Sequence, residues 1–219
     1  MKLVIFGAGE MAHIAFEYFS FDSDYEVVAF VVDDQFATSS TFLDLPLIST
    51  SDFLIKYNKT DFTLFVALTA TKMNQDRKRV YEFFKKLDYR FASYISSKAF
   101  VWRNAVIGEN TFIFENNVIQ PFVTIGNNCV LWSGNHVGHR TEISDHVFLS
   151  SHVVVSGYCK IGESSYFGVN STIHNNVEIA ERCLVGAGAT ITKSTLPDLV
   201  YVGSPARPVP NKKSSEIIF

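Results

Sequence analysis

From Ile95 to Ile191 every sixth residue is large and apolar: Ile95, Val101, Ile107, Ile113, Ile119, Ile125, Leu131, Val137, Ile143, Leu149, Val155, Ile161, Phe167, Ile173, Ile179, Val185 and Ile191. With 47% apolar residues in the chain, an unbroken ladder of this length has a chance of roughly 1 in 10⁵. The position two before each rung is small or medium-sized, as at Ala99, Thr111, Asn117, Val153, Ser165 and Ala189. Glycine often follows the rung, at Gly108, Gly126, Gly138, Gly162, Gly168 and Gly186. Neither the period of a helix nor the two-residue alternation of an ordinary strand yields this pattern. A hexapeptide coil does: six residues make one short strand and one turn, and three strands close a triangular coil of about 18 residues. The rung fills the bore, the small residue packs beside it at the corner, and glycine is expected to serve the turn. Because the register never slips, no long loop interrupts the coil, and Pro197 is expected to end it. Cys129, Cys159 and Cys183 all fall on the small bore-facing position, which reads as packing rather than catalysis.

The first 92 residues follow another rule. KLVIF (residues 2–6), EVVAFVVDD (26–34) and DFTLFVAL (61–68) are apolar runs of strand type, and helical patterns follow the first and third. Strands alternating with helices predict a small parallel sheet built from right-handed crossovers. Ligands of such sheets bind at the carboxyl ends of the strands, where a glycine turn and a helix N-terminus offer N–H groups to phosphate. Gly7, Ala8 and Gly9 form a candidate cradle of that kind. A ligand-free strand-to-helix turn has the same sequence, and the third glycine of the dinucleotide fingerprint is replaced by Ala12. Asp33 and Asp34, at the end of the second run, either accept hydrogen bonds from a sugar or base or form a solvated turn.

Composition removes several classes of function. A formal net charge of −3 without a long basic run argues against nucleic-acid or anionic-membrane partners. The run VVAFVV (27–32) is far short of the roughly 18 residues of a membrane span, and the apolar run of MKLVIFGAG stops at Gly7, unlike a secretion signal. Three cysteines, an odd number with no CxxC spacing, fit a reducing cytoplasm and no metal site.

The sequence resembles a family over nearly its whole length: the bacterial sugar O- or N-acetyltransferases that acetylate sialic acid or the amino group of nucleotide-linked amino-deoxy sugars. The motifs that carry the resemblance are VIFGAG (4–9), VVDD (31–34), the hexapeptides, VGHRTEISD (137–145), VVVSG (153–157), YFGVNSTI (166–173), VGAGATITK (185–193) and VGSPAR (202–207). It implies an α/β N-terminal domain with a small parallel, Rossmann-like sheet (1–92), a left-handed parallel β-helix (93–196) and a C-terminal tail (197–219). It also implies a homotrimer, acetyl-coenzyme A between neighbouring coils, a nucleotide-sugar on the sheet domain and a role in surface-glycan synthesis. By the same resemblance His139 is the general base, Gly157, Val169 and Ala187 contact the cofactor, and Gly7, Ala8, Gly9, Asp33 and Asp34 hold the sugar nucleotide. No metal is required.

The repeat places these residues. His139, two after the rung Val137, projects outward, and Gly157 lies one coil further on, where the missing side chain leaves room for a thin pantetheine arm. His136 also points outward, as a substrate contact or a support for the base. Val169 and Ala187 stack in one column with Ser133 and Ser151, while His146, His152 and His174 are expected on the surface and His13 beside the sugar site. Relatives carry an acid where this chain has Arg140. Either Arg140 turns away and Glu142 or Asp145 orients the ring, or the base works without an orienting acid. Formyl or longer acyl transfer and a non-catalytic β-helical assembly protein are the alternative functions. A nucleotidyltransferase fails on length and on the missing basic glycine-rich loop.

Overall fold

A computed structural model describes residues 1–217, so the last two residues of the expected tail lie outside the described residues. The first domain is a five-stranded sheet in the order β3-β4-β2-β1-β5, formed by β1 (Lys2–Phe6), β2 (Glu26–Val32), β3 (Thr41–Phe42), β4 (Leu45–Ser49) and β5 (Thr63–Val66). β1 runs parallel to β2 and β5, and β2 to β4; only β3 is antiparallel. Helices α1 (Glu10–Phe21), α2 (Thr50–Lys56) and α3 (Thr71–Lys86) cover the sheet. Its strands are almost wholly apolar because both faces are covered, as in β1, where only Lys2 is exposed. Gly7 takes φ +129°, and a Cβ there would stand 2.7 Å from the carbonyl oxygen of Ala67 on the neighbouring connection. Only glycine fits that turn.

The second domain is a left-handed β-helix of hexapeptide repeats. Seventeen two-residue strands, β6 (Tyr94–Ile95) to β22 (Thr190–Ile191), recur every six residues and pair in parallel with partners 18 residues away, as Val137 does with Ile119 and Val155. In each strand the rung points inward and the preceding residue outward. Three faces result. Face I holds β6, β9 and every third strand to β21, face II holds β7 to β22, and face III holds β8 to β20. The rungs from Ile113 to Ile191 form one buried apolar cluster, which includes the three cysteines. Burial pushes the Cys129 thiol up to about 12, which removes it as a nucleophile at neutral pH. Ile95 is 40% exposed because the first coil has no coil beneath it.

Two local expectations are corrected. The glycines after the rungs do not make the left-handed turns. That conformation falls three residues after the rung, at Asn110, Asn128, Arg140, His146, His152, Tyr158 and Asn176 among others. The glycines instead let successive coils approach: a Cβ on Gly138 would lie 2.6 Å from the nitrogen of Gly157, and one on Gly162 2.4 Å from that of Glu181. Nor does Pro197 end the pairing. After it the chain adds β23 (Leu199–Gly203), parallel to β21 (Leu184–Val185), and then β24 (Ala206–Lys213), antiparallel to β23. Tyr201 and Ala206 join the bore cluster, so this hairpin closes the end of the coil.

Face I is covered by the first domain. Its outward residues Tyr94, Phe112, Val130 and Phe148 pack with Met11, Phe19 and Phe65. α1 borders the edge between faces I and II, where Tyr18 donates to Glu115 at 2.8 Å. α3 borders the edge between faces III and I. Its wholly buried Arg77 donates from Nη2 to the Asn110 carbonyl at 2.8 Å and lies over the Phe65 ring at 5.3 Å.

This packing explains one histidine that the sequence misplaces. His152 and His174 are exposed, but His146 is only 4% exposed because α3 crosses its edge. Asn74 Nδ2 donates to its carbonyl at 2.7 Å, and Asn128 Nδ2 lies 2.8 Å from its Nδ1. An amide NH₂ can only donate, so Nδ1 accepts and the ring is neutral. Burial first and the Lys78 charge second hold its pKa below the usual histidine value, against the pull of Asp145, Glu163 and Glu82. The folded protein therefore takes up this proton at lower pH than the unfolded chain does. The stability tied to a neutral His146 is full above about pH 6.5 and is lost as pH falls toward the depressed folded value. His146→Asn suits φ +63° and extends the ladder in which Asn110 Nδ2 donates to Asn128 Oδ1 at 2.6 Å. Urea midpoints at about pH 7.5 and 5.5 are expected to differ less in this variant than in wild type; equal differences in the two proteins would remove His146 as the cause.

Candidate active site

The edges of the coil sort the candidate residues. His139 lies in the turn from face II to face III, the one edge that neither α1 nor α3 borders, and it is exposed. Its backbone N–H donates to Gln120 Oε1 at 2.9 Å, and its Nδ1 lies 3.2 Å from the same oxygen. Tyr158 stands edge-to-face against the ring at 5.1 Å. The ring itself covers Gly157: a Cβ there would come within 2.8 Å of His139 Cε1. The space over Gly157 is thus occupied by the imidazole rather than left for a pantetheine arm, because the coil spacing sets the histidine directly against the glycine. The Gly157 N–H is also engaged, donating to Asn175 Oδ1 at 3.0 Å.

Arg140 does turn away. Its guanidinium sits 4.5 Å over the centroid of Phe122, a cation–π contact that directs the charge off the imidazole. Neither suggested acid replaces the missing one. Glu142 points outward from face III between Thr124 and Lys160. Asp145 lies a full face away, on the edge under α3, where it accepts from the Asn127 backbone at 2.7 Å. His136 stands half-buried on the outside of face II, between Val118 and Val154. The polar partner of His139 is Gln120, which the sequence reading missed. It lies 19 residues back, one coil plus one position, so the 18-residue period contains the signal.

Val169 and Ala187 are exposed on another edge, that from face I to face II, in line with Ser133 and Ser151. Ser133 is engaged, its Oγ donating to Glu115 Oε1 at 2.6 Å. Within one chain, then, Gly157 and the Val169–Ala187 column stand on two different edges, separated by the width of face II. The intervening surface is mostly uncharged, with Phe100, Val118, His136, Val154, Thr172 and Thr190 outward, whereas face III presents Glu142, Lys160 and Glu178.

The glycine turn opens a cleft of about 840 Å³ in the first domain, lined by Gly7, Ala8, Gly9, Asp33, Phe36, Thr71, Lys72 and Arg79 among others. No side chain caps α1 at Gly9, and the turn that leads into the helix, Gly7 to Gly9, lines this cleft. Asp33 is paired with Arg79 at 2.6 Å. Asp34 faces away, accepting the Ser51 backbone N–H at 2.9 Å, and its carboxyl lies below the usual range chiefly through the Ser51 hydroxyl. It holds the start of α2. His13 is outside the lining of the cleft and meets Phe42 edge-on at 6.5 Å. Among the described residues no group of three or more His, Cys, Asp or Glu side chains could hold a metal ion, and no helix is long and apolar enough to cross a membrane.

Residues 104–139 and 158–193 match the family model of the bacterial transferase hexapeptide (six repeats). No curated protein sequence matches the chain. Among solved structures, the acetyltransferase domain of PglB from Neisseria gonorrhoeae is similar with a TM-score of 0.84 and 23% identity, over 95% of this chain and 99% of that one. A variant of perosamine N-acetyltransferase from Caulobacter crescentus, in complex with CoA and GDP-perosamine, has a TM-score of 0.85 and 20% identity, over 96% of this chain and 98% of that one. WeeI from Acinetobacter baumannii has a TM-score of 0.77 and 21% identity, over 95% of this chain and all of the other. At these identities the likeness establishes the two-domain fold.

Proposed function

We propose that the chain is an acetyl-CoA-dependent acetyltransferase that acts on an amino or hydroxyl group of a nucleotide-linked sugar, in a trimer whose sites lie between copies. One observation carries the reading. His139 stands outward on the coil edge that neither α1 nor α3 borders, while the cleft fit for a sugar nucleotide lies in the domain on face I. A base and a substrate cleft set so far apart in one chain act together only if the edge of one copy meets the first domain of the next. The same holds for the acyl donor, because His139 and the Val169–Ala187 column stand on two different edges and reach one thioester only across two copies. Face II, which lies between those two edges and is the least charged of the open faces, is the surface such a trimer would bury. Perosamine N-acetyltransferase, of the same fold, binds both CoA and a GDP-linked amino sugar.

The glycine turn at the N-terminus of α1 and the side chains of Lys72 and Arg79, which line the cleft, suit a diphosphate there. Acetyl-CoA would supply the activated acyl group. The sugar amine or hydroxyl attacks the thioester carbonyl, the new C–N or C–O bond forms, His139 takes the proton of the attacking group, and the C–S bond breaks to release the thiolate of CoA. The small, exposed Val169 and Ala187 offer a shallow strip to the pantetheine arm. No covalent enzyme intermediate is needed. Three buried, unpaired thiols agree with a cytoplasmic enzyme, and surface-glycan assembly is the use we assign to its product.

Purified protein mixed with acetyl-CoA and a panel of nucleotide-linked amino sugars is expected to release free thiol only when an acceptor sugar is present. Acceptor-independent release, or none with any sugar of the panel, would contradict the assignment.

A further inference from the structure

We infer that Gln120 is the positioning residue for His139, orienting the imidazole with the oxygen of a neutral amide. The inference rests on the proposed role of His139 as base and adds the group that sets its proton. The assignment follows from one oxygen. The His139 backbone N–H can only donate, and at 2.9 Å it fixes which atom of the Gln120 amide is the oxygen. His139 Nδ1 lies 3.2 Å from that same oxygen. An amide oxygen can only accept, so Nδ1 carries a hydrogen, and in the neutral ring Nε2 then carries the lone pair. The ring lies against Gly157, and Tyr158 meets it edge-on at 5.1 Å. Gln120 is itself half-buried, set by the coil one turn before His139.

The choice of a neutral partner is consistent with Arg140. A carboxylate beside His139 would compete with the Phe122 ring for the Arg140 guanidinium, now 4.5 Å over that ring, and would draw the cation toward the base. An amide oxygen orients the imidazole without attracting Arg140. It also stabilises the imidazolium less than a carboxylate does, so the base releases its proton more readily after each turnover.

The test uses the full-length protein with ¹⁵N-labelled histidine, the His139 signals being identified by their loss in His139→Asn. Above pH 8 the wild type is expected to show a protonated Nδ1 and an unprotonated Nε2. Gln120→Ala is expected to lose that preference and to lower kcat about tenfold with little change in KM. Gln120→Glu is expected to keep the tautomer and to move the acid limb of the pH–rate profile up by about one pH unit. A wild-type His139 protonated at Nε2, or a tautomer unchanged in Gln120→Ala, overturns the inference whatever the activity. If the tautomer is as stated but the wild type transfers no acetyl group, the functional reading fails and the hydrogen bond stands.

Discussion

If His139 is the base proposed above, His139→Ala is expected to lower kcat for acetyl transfer about 10²–10⁴-fold, the usual contribution of a positioned general base, with the fold and the binding of acetyl-CoA preserved. The side chain is exposed and lies outside the bore, so its removal leaves the core untouched. It contributes no bore packing and no contact with the first domain. On the proposed mechanism, what disappears is the acceptor for the proton of the attacking amine or hydroxyl. Thiol release at saturating acetyl-CoA measures the loss, and thermal unfolding confirms that the variant is folded. Activity within about twofold of wild type would exclude His139 as the base.

The second large effect falls on stability. Phe167 is the bulkiest rung of the ladder and is wholly buried, stacked in its column between Leu149 and Val185. Phe167→Ala leaves a cavity that the coils above and below cannot fill without breaking their parallel pairing. A loss of about 3–5 kcal/mol is expected. In a stack of repeats each coil is held by its neighbours, so the damage weakens the adjoining coils as well. Chemical denaturation of wild type and variant at the same protein concentration measures it. A change below about 1 kcal/mol would mean that the column tolerates the gap and that the bore is less tightly packed than described.

The ladder was legible because the bore makes the same demand at every strand. Each two-residue strand must send one large apolar side chain inward whatever surrounds it, so Ile113, Phe167 and Ile191 all answer to one rule. The parallel sheet of the first domain was legible for a similar reason, from apolar runs such as KLVIF. Turn chemistry was less visible. The left-handed positions accept Arg140, His146 and Tyr158 as well as asparagine, so they carry no single signature, and the glycines drew attention to themselves for a different reason, the close approach of coils. His146 is buried by a helix more than 60 residues earlier in the chain, and no local pattern reports such packing. The hairpin after Pro197 escaped because its strand pairs 16 residues from its partner, Val200 with Leu184, and so leaves the six-residue register.

The site was legible in kind but not in arrangement. The outward direction of His139 and its stacking on Gly157 follow from counting by 18. Gln120 follows from the same count, yet its importance appears only when the acceptor atom and the turned-away Arg140 are seen together. The separation of Gly157 from Val169 and Ala187 is likewise a property of three edges, and a linear sequence does not show which edge a residue occupies.

That separation can be tested by mixing two inactive proteins. His139→Ala removes the base from one copy, and Ala8→Glu places a negative charge in the glycine cleft of another. If each site joins the edge of one copy to the first domain of its neighbour, the two variants, co-expressed so that their subunits mix at random, are expected to recover up to about a quarter of wild-type acetyl transfer. Each variant alone is expected to remain inactive. If the mixture is no more active than its components, base and cleft belong to the same copy, and the shared site is wrong.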